Sequence, residues 1–266
     1  MARVRLGAVG YLNARPLVYQ LDASPRFDLR FDVPSKCAEL LHEGAIDLGL
    51  IPSIEYNHPI TRTEYAVVPD LAIASNGPVA SVAIYTRRDI REVRSVALDT
   101  SSRTSVALVR VLCHRVFRIT PRLEHRGPDL TDMLSACDAA LIIGDNALVQ
   151  DGDAVTRKHD LGEIWMQMAG LPFVYAFWAG RRGAVGPHDV EALQQARDLG
   201  LRHSDEIARE YFAASPDRQA MGARYLRDNI KYSLGEQERA GLELFYRYAV
   251  EAGVINCAEP LRLFEK

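Results

Sequence analysis

The first fifty residues constrain the fold more than any other stretch of the chain. Val4 to Val9 is a short apolar run ending at Gly10, Ala14 to Leu21 reads as a helix, and Arg30 to Val33 reads as a second strand. Pro34 to Glu43 places Cys37, Leu40 and Leu41 at helical spacing and stops at Gly44. Ile46 to Ile51 is a third strand, closed by Pro52. Strand, helix, strand, helix, strand is the pattern of a parallel sheet with helices against it.

The middle of the chain changes character. Tyr65 to Val68, Leu71 to Ser75 and Val79 to Thr86 are strand-like and closely spaced. A second βα pattern follows, with Ser95 to Leu98 as a strand, a polar loop from Asp99 to Ser105, and Val106 to Phe117 as a helix. Asp132 to Ala136 starts a helical piece, Ala139 to Ile143 is a strand ending in Gly144-Asp145-Asn146, and Pro172 to Trp178 is an apolar, aromatic strand. The last third is helical. Gly186-Pro187 and Ser215-Pro216 each set a first-turn proline before a helix, at His188–Leu201 and Asp217–Asn229. Ser233 and Glu236 have capping-box spacing ahead of a helix to Ala252, whose stripe is Leu242, Phe245, Tyr246 and Ala249.

The 266 residues exceed the usual single domain of roughly 100–200 residues. Two α/β units joined by strand-like segments predict a two-lobed clamp. The expected first lobe is residues 1–86 plus 179–266, with the C-terminal helices, and the second is residues 87–178. In parallel sheets, ligands bind beyond the carboxyl ends of strands. Four loops occupy such ends: Gly10-Tyr11-Leu12-Asn13, Pro52-Ser53, Asp99 to Thr104, and Gly144-Asp145-Asn146. Their convergence on one cleft is the main expectation.

Several chemistries are disfavoured. With 35 acidic residues against 32 basic, interleaved along the chain, a nucleic-acid partner is not expected. The basic residues are nearly all arginine, which codon usage accounts for without a binding role. No apolar stretch reaches the 18 residues of a membrane span, and the N-terminus has no secretory pattern, so a cytoplasmic protein is expected. The four cysteines (Cys37, Cys113, Cys137, Cys257) form no metal or redox spacing and read as idle thiols. The seven histidines have no metal spacing either, and no G-x-S-x-G, H-E-x-x-H or G-x-G-x-x-G occurs. No metal and no cofactor are expected, and the chain is expected to act as a monomer or homodimer.

The loop Thr100-Ser-Ser-Arg-Thr-Ser105 is the sharpest chemical feature. It offers hydroxyls, the Arg103 guanidinium and the unpaired amides of a following helix, which together suit an anion. Arg103 can grip a carboxylate with two parallel bonds. The same residues also make an ordinary hydroxyl-rich helix cap. Asn13 is either a turn residue or an amide aimed into the cleft. Ser81 reads as a strand residue near a hinge, after the turn at Asn76-Gly77-Pro78, and Asp145 reads first as a helix cap and second as a ligand contact.

Several strings, in order, resemble one family. Gly7-Ala-Val-Gly-Tyr-Leu-Asn-Ala-Arg-Pro-Leu17, Gly77-Pro-Val-Ala-Ser81, Asp99-Thr-Ser-Ser-Arg-Thr-Ser-Val-Ala-Leu108 and Ala140-Leu-Ile-Ile-Gly-Asp145 are similar to those of the chorismate dehydratases of menaquinone biosynthesis. Asp160-Leu-Gly-Glu-Ile-Trp165 and Gly170-Leu-Pro-Phe173 complete the set. The resemblance implies an α/β, two-lobed, periplasmic-binding-protein-like fold of the second type. It implies a cytoplasmic lyase that removes water from chorismate, without a cofactor, to give 3-[(1-carboxyvinyl)oxy]benzoate. It points to Asn13 and Ser81 as catalytic. Tyr11, Ser53, Ser102, Arg103, Thr104, Gly144 and Asp145 are the expected substrate contacts, with Ser102-Arg103-Thr104 holding a carboxylate. Neither Asn13 nor Ser81 is a free base at neutral pH, so the base is expected to be a carboxylate, the substrate's own enolpyruvyl group among the candidates. The alternatives are 1,4-dihydroxy-6-naphthoate synthase of the same pathway and a non-catalytic binder of small carboxylates. The Tyr-Leu-Asn-Ala-Arg-Pro opening favours the dehydratase.

Overall fold

The computed structural model describes residues 3–59, 64–150 and 156–265. Its strands are β1 (Val4–Val9), β2 (Phe27–Asp32), β3 (Leu48–Pro52), β4 (Tyr65–Val67), β5 (Ile73–Ser75), β6 (Val82–Thr86), β7 (Ser95–Asp99), β8 (Arg122–Arg126), β9 (Ala139–Ile143), β10 (Arg157–Asp160) and β11 (Phe173–Arg181). Its helices are α1 (Pro34–His42), α2 (Arg103–Leu112), α3 (Leu130–Ala136), α4 (Gly144–Val149), α5 (Leu161–Ala169), α6 (Pro187–Arg202), α7 (Ser204–Tyr211), α8 (Pro216–Arg224) and α9 (Glu236–Glu251).

The strands form two sheets. The first runs β2-β1-β3-β11-β4, with β5 also paired to β11; the second runs β10-β6-β9-β7-β8. The opening pattern gives the expected parallel set, with β1 between β2 and β3. The central strands β3 and β9 are buried at every residue. That explains their near-continuous apolar sequence, since a strand covered on both faces has no reason to alternate.

The chain passes between the sheets twice, at residues 76–81 and 161–172. This relocates two strands from the expected lobes. Val82–Thr86 pairs with β9 and β10 in the second sheet, and Phe173–Arg181 pairs with β3, β4 and β5 in the first. Both are antiparallel partners, so neither was marked by the βα rhythm that placed the other strands.

The remaining differences have local causes. The helix expected over Ala14–Leu21 is a 3-10 turn, Leu12–Val18, with Pro16 inside it. Proline has no N–H to give an α-helical ladder and favours a short turn. The last long helix is capped at Gly235 rather than at Ser233. Leu234 is buried, and it is the Glu238 carboxylate that accepts the Gly235 N–H, at 3.0 Å. Strands β8 and β10 carry the sequences RLEHR and RKHD. They are the two edges of the second sheet, where charge protects exposed backbone and erases the apolar signal. Helices α5 and α7 were also unmarked in sequence.

The C-terminal helices pack on the first sheet and bind its loops. Phe245 on α9 meets Phe173 and Trp165 with ring centroids 4.8 and 5.9 Å apart, joining α9, β11 and α5. The expected stripe of Leu242, Phe245, Tyr246 and Ala249 is fully buried. Helix α6 lies directly on the 3-10 turn that carries Asn13. A Cβ added at Gly200 would sit 2.3 Å from the Pro16 carbonyl oxygen. Backbone cannot retreat as a side-chain tip can, so Gly200→Ala is expected to cost about 1–3 kcal/mol. Urea unfolding of the variant measures that loss. No described helix is long and apolar enough to cross a membrane.

Candidate functional site

A cavity of about 40 Å³ lies between the two lobes. Tyr11, Asn13, Ser81, Ser102 and Gly144 face it, together with Ser105, Tyr175 and an apolar wall that includes Val9, Pro34, Ile73, Val79 and Ile143. The residues come from the ends of β1, β6, β7 and β9, so three of the four expected loops meet here.

Each side chain is placed by identifiable contacts. Asn13 stands on the turn after β1, where Leu12 and Ala14 on either side are buried. Its Oδ1 is buried with no partner. Ser81 ends the first crossing. Its backbone carbonyl accepts the Gly144 N–H at 2.8 Å, and its Oγ accepts the Tyr225 hydroxyl proton at 2.7 Å. The Asn13 amide acts on the titration of that hydroxyl, without a hydrogen bond of ordinary geometry between them. Tyr225 is fully buried, and burial pushes its phenol well above the ordinary value, with the hydroxyl and amide partners opposing. Ser102 caps α2, its Oγ 3.0 Å from Ser105 Oγ. Ser101 donates from both N–H and Oγ to Asp99, and the Tyr11 hydroxyl donates to Ser101 across the cleft at 3.1 Å.

The other expected contacts lie away from the cavity. Ser53 donates to the Val174 carbonyl at 2.7 Å, and its Oγ is 3.4 Å from Thr104 Oγ1, which accepts the Ile54 N–H. Both are fully buried and make a polar knot between lobes. Asp145 accepts from the Leu12 N–H at 3.1 Å and from the Tyr211 hydroxyl. Burial raises its pKa above the ordinary value; the Tyr211 and Leu12 bonds and the Arg15 charge oppose this only in part. Asp145 thus links α4 to the Asn13 turn and to α7, which is more than the cap its sequence suggested.

Arg103 is the clearest departure. Its guanidinium donates to Glu55 Oε2 and Glu39 Oε1, both at 3.0 Å, and Arg103 does not line the cavity. Glu55 is buried and also meets His42 Nε2 at 3.1 Å. Two carboxylates of the first lobe therefore hold the arginine that the sequence assigned to a ligand. Arg15, a weaker sequence candidate, lies over the rings of Phe31 and Tyr211 at 4.5 and 5.3 Å.

Sequence reasoning missed Tyr175, Tyr211 and Tyr225. Each lies 60 or more residues from the loop it serves, and nothing local distinguishes a functional tyrosine from a core one. The fully buried character of Tyr225 would itself have read as packing. Among the described residues, no three His, Cys, Asp or Glu side chains gather as a metal site requires.

Two α/β lobes closing on a cavity at the ends of their strands define a periplasmic-binding-protein-like scaffold. A Candida albicans gene product with the generic periplasmic-binding-protein fold superposes with a TM-score of 0.60, at 12% identity, over 100% of this chain and 99% of its own. The chain belongs to the menaquinone-biosynthesis family, whose model matches residues 4–251. It is 33% identical over 258 residues to a chorismate dehydratase of Thermus thermophilus, covering 90% of this chain and 93% of the relative. A chorismate dehydratase of Campylobacter jejuni is 27% identical over 250 residues, covering 91% and 95%.

The Arg103 contacts make a pH prediction. Burial pushes the Glu55 carboxyl up, but the His42 bond and the Arg103 charge outweigh it, so its pKa lies below the ordinary 4.5. The stabilisation from Glu55 is complete above 4.5 and is lost as pH falls through the lowered folded value. Arg103→Gln removes part of that dependence. The variant is expected to lose about 1 kcal/mol at neutral pH, allowing for the exposure of Arg103, and to show a shallower acid limb. Unfolding midpoints from pH 3 to 7 report both.

Proposed function

We propose that the chain is a chorismate dehydratase, a lyase that eliminates water from chorismate, with the cavity between the lobes as its active site. The observation that carries this reading is the position of Asn13 and Ser81. They come from different parts of the chain and both line the cavity, with the Tyr225 hydroxyl 2.7 Å from Ser81 Oγ. Family membership and the two dehydratase relatives support the same conclusion.

The composition of the wall bears on the mechanism. No Asp, Glu, His, Lys or Arg lines the cavity among the described residues. A protein base would have to be a serine, an asparagine or a tyrosine, none of them basic at neutral pH. We therefore assign the base to the enolpyruvyl carboxylate of the substrate. It takes the proton from the ring carbon that bears the ether. The C–H electron pair becomes the new ring π bond, the neighbouring C–O pair leaves as hydroxide, and proton and hydroxide together make the water lost. Aromatisation supplies the driving force, so the protein's task is to hold carboxylate and C–H in line. In this reading Asn13 orients the enolpyruvyl group, and Ser81 hydrogen-bonds the departing oxygen.

The ring carboxylate fits against the start of α2, where Ser102 and Ser105 and the unpaired first-turn amides favour an anion. Arg103 contributes indirectly in this scheme, by tying α2 to Glu39 and Glu55 and so drawing the lobes together. A cavity of about 40 Å³ is far below the roughly 300 Å³ of the smallest usual ligand sites, so the lobes part to admit substrate. A larger outer groove of about 640 Å³ beside α7 is the poorer site: its Asp22, Glu206 and Glu210 outnumber Arg15 and repel a dicarboxylate. The four unpaired cysteines suit a reducing compartment, and we place the activity in the cytoplasm.

Purified protein mixed with chorismate is expected to yield an aromatic product lighter by one water, followed by ultraviolet absorbance and mass. Chorismate returned unchanged from a tight complex would mean a binding protein instead. Ser81→Ala is expected to lower kcat by about 100-fold with an unchanged melting temperature. Wild-type kinetics in that variant would remove Ser81 from the reaction.

A further inference from the structure

Ser101, in the loop between β7 and α2, receives two bonds from the first lobe. Its Oγ accepts the Tyr11 hydroxyl proton at 3.1 Å, and its carbonyl accepts the Ser35 N–H at 3.0 Å. The second bond fills a gap in α1. That helix begins at Pro34, which has no N–H, and follows Val33, whose side chain cannot accept. A first-turn amide such as that of Ser35 has no partner within its own helix. Its acceptor comes from the other lobe instead. Ser101 thus caps α1, while the next residue, Ser102, caps α2.

Asp99 holds Ser101 for both contacts. Its Oδ1 accepts the Ser101 N–H at 3.0 Å and the Ser101 hydroxyl proton at 2.6 Å. A serine hydroxyl without such a partner rotates to suit whatever faces it. A bond to a carboxylate is shorter and about twice as strong as one between neutral groups, so the Ser101 proton stays directed at Asp99 and the lone pairs of Oγ are left for Tyr11. Asp99 itself is 3% exposed and does not line the cavity.

The ring of Tyr11 is fixed by a second contact. Gly144 has φ +63°, and a Cβ there would lie 3.0 Å from two carbons of that ring. The Gly144 N–H is in turn bonded to the Ser81 carbonyl. Tyr11 is therefore held at its hydroxyl by Ser101 and along its ring by Gly144, both from the second lobe, and it lines the cavity.

We propose that Asp99 is a positioning residue: by holding Ser101 as the acceptor for Tyr11 and Ser35, it sets the Tyr11 wall of the cavity and docks α1 on the second lobe. Its effect on turnover rests on the functional reading above; its effect on the two bonds does not. A carboxylate that merely closed a local turn would leave Tyr11 and Ser35 unaffected when removed.

Amide hydrogen exchange followed by NMR separates these cases. In Asp99→Ala the Ser35 amide is expected to exchange about 10-fold faster than in wild type. The Lys36 and Cys37 amides, bonded to the Val33 carbonyl inside the first lobe, are expected to change by less than about twofold. A general loss of stability would speed all three, so equal acceleration of the three, or none, overturns the proposal. Asp99→Asn keeps the shape and weakens the acceptor, and is expected to show the same selectivity at about threefold. Turnover supplies the second test. Asp99→Ala is expected to lower kcat/KM for chorismate about 10-fold, but no more than about threefold in a Tyr11→Phe background, because part of its action passes through the Tyr11 hydroxyl. Equal losses in the two backgrounds overturn that path. If wild type leaves chorismate unchanged while Ser35 alone is accelerated, the functional reading fails and the positioning role stands.

Discussion

The carboxylate of Asp160 holds both crossings between the lobes. Its Oδ1 accepts the Val79 N–H at 3.0 Å and its Oδ2 accepts the Ala80 N–H at 2.6 Å, on the first crossing. The same Oδ1 accepts the Glu163 N–H at 3.0 Å and caps α5, on the second. Ala80 is held at φ +63°, a conformation that costs a residue with a side chain roughly 1–2 kcal/mol. Bonds from amides to a charged acceptor contribute about 1.5–3 kcal/mol each, so the clamp outweighs the strain. The strained residue is the one before Ser81. A Cβ at Gly162 would meet the Gly77 carbonyl at 2.6 Å, so the two crossings touch with no room for a side chain. Ser81 is therefore placed by backbone that cannot relax independently in either lobe.

Other polar contacts also cross the cleft. Tyr11 with Ser101, Leu12 and Tyr211 with Asp145, and Arg103 with Glu39 and Glu55 all join one lobe to the other. They lie at the rim, while the Asp160 clamp lies at the hinge. Together they hold the two lobes against each other, with Glu55 buried at one of the contacts. With these contacts made, Asn13, Ser81 and the start of α2 face one cavity.

The strand rhythm was legible because buried parallel strands must be apolar, and β1, β3 and β9 lie where the sequence put them. The loops at their ends were legible for the same reason. The ion pairs of Arg103 were not legible, because a guanidinium after a hydroxyl-rich loop satisfies the rules for an anion site whatever faces it. Only the fold reveals Glu39 and Glu55, 64 and 48 residues earlier in the chain, as its partners. Asp160 shows the opposite case: it stood inside a recognisable string with no role attached, and its three amide partners supply one.

The sequence by itself determined the class of fold, the parallel core of the first sheet, and the identity of the loops around Asn13, Ser81 and Ser102. These follow from local periodicity and from short strings, which the chain carries wherever it is folded. The tertiary structure decided which lobe β6 and β11 join, which carboxylates Arg103 meets, and that Tyr225 stands behind Ser81. Strand exchange, ion pairing and the direction of a hydrogen bond depend on groups brought together from distant parts of the chain, and their geometry exists only once the lobes have packed.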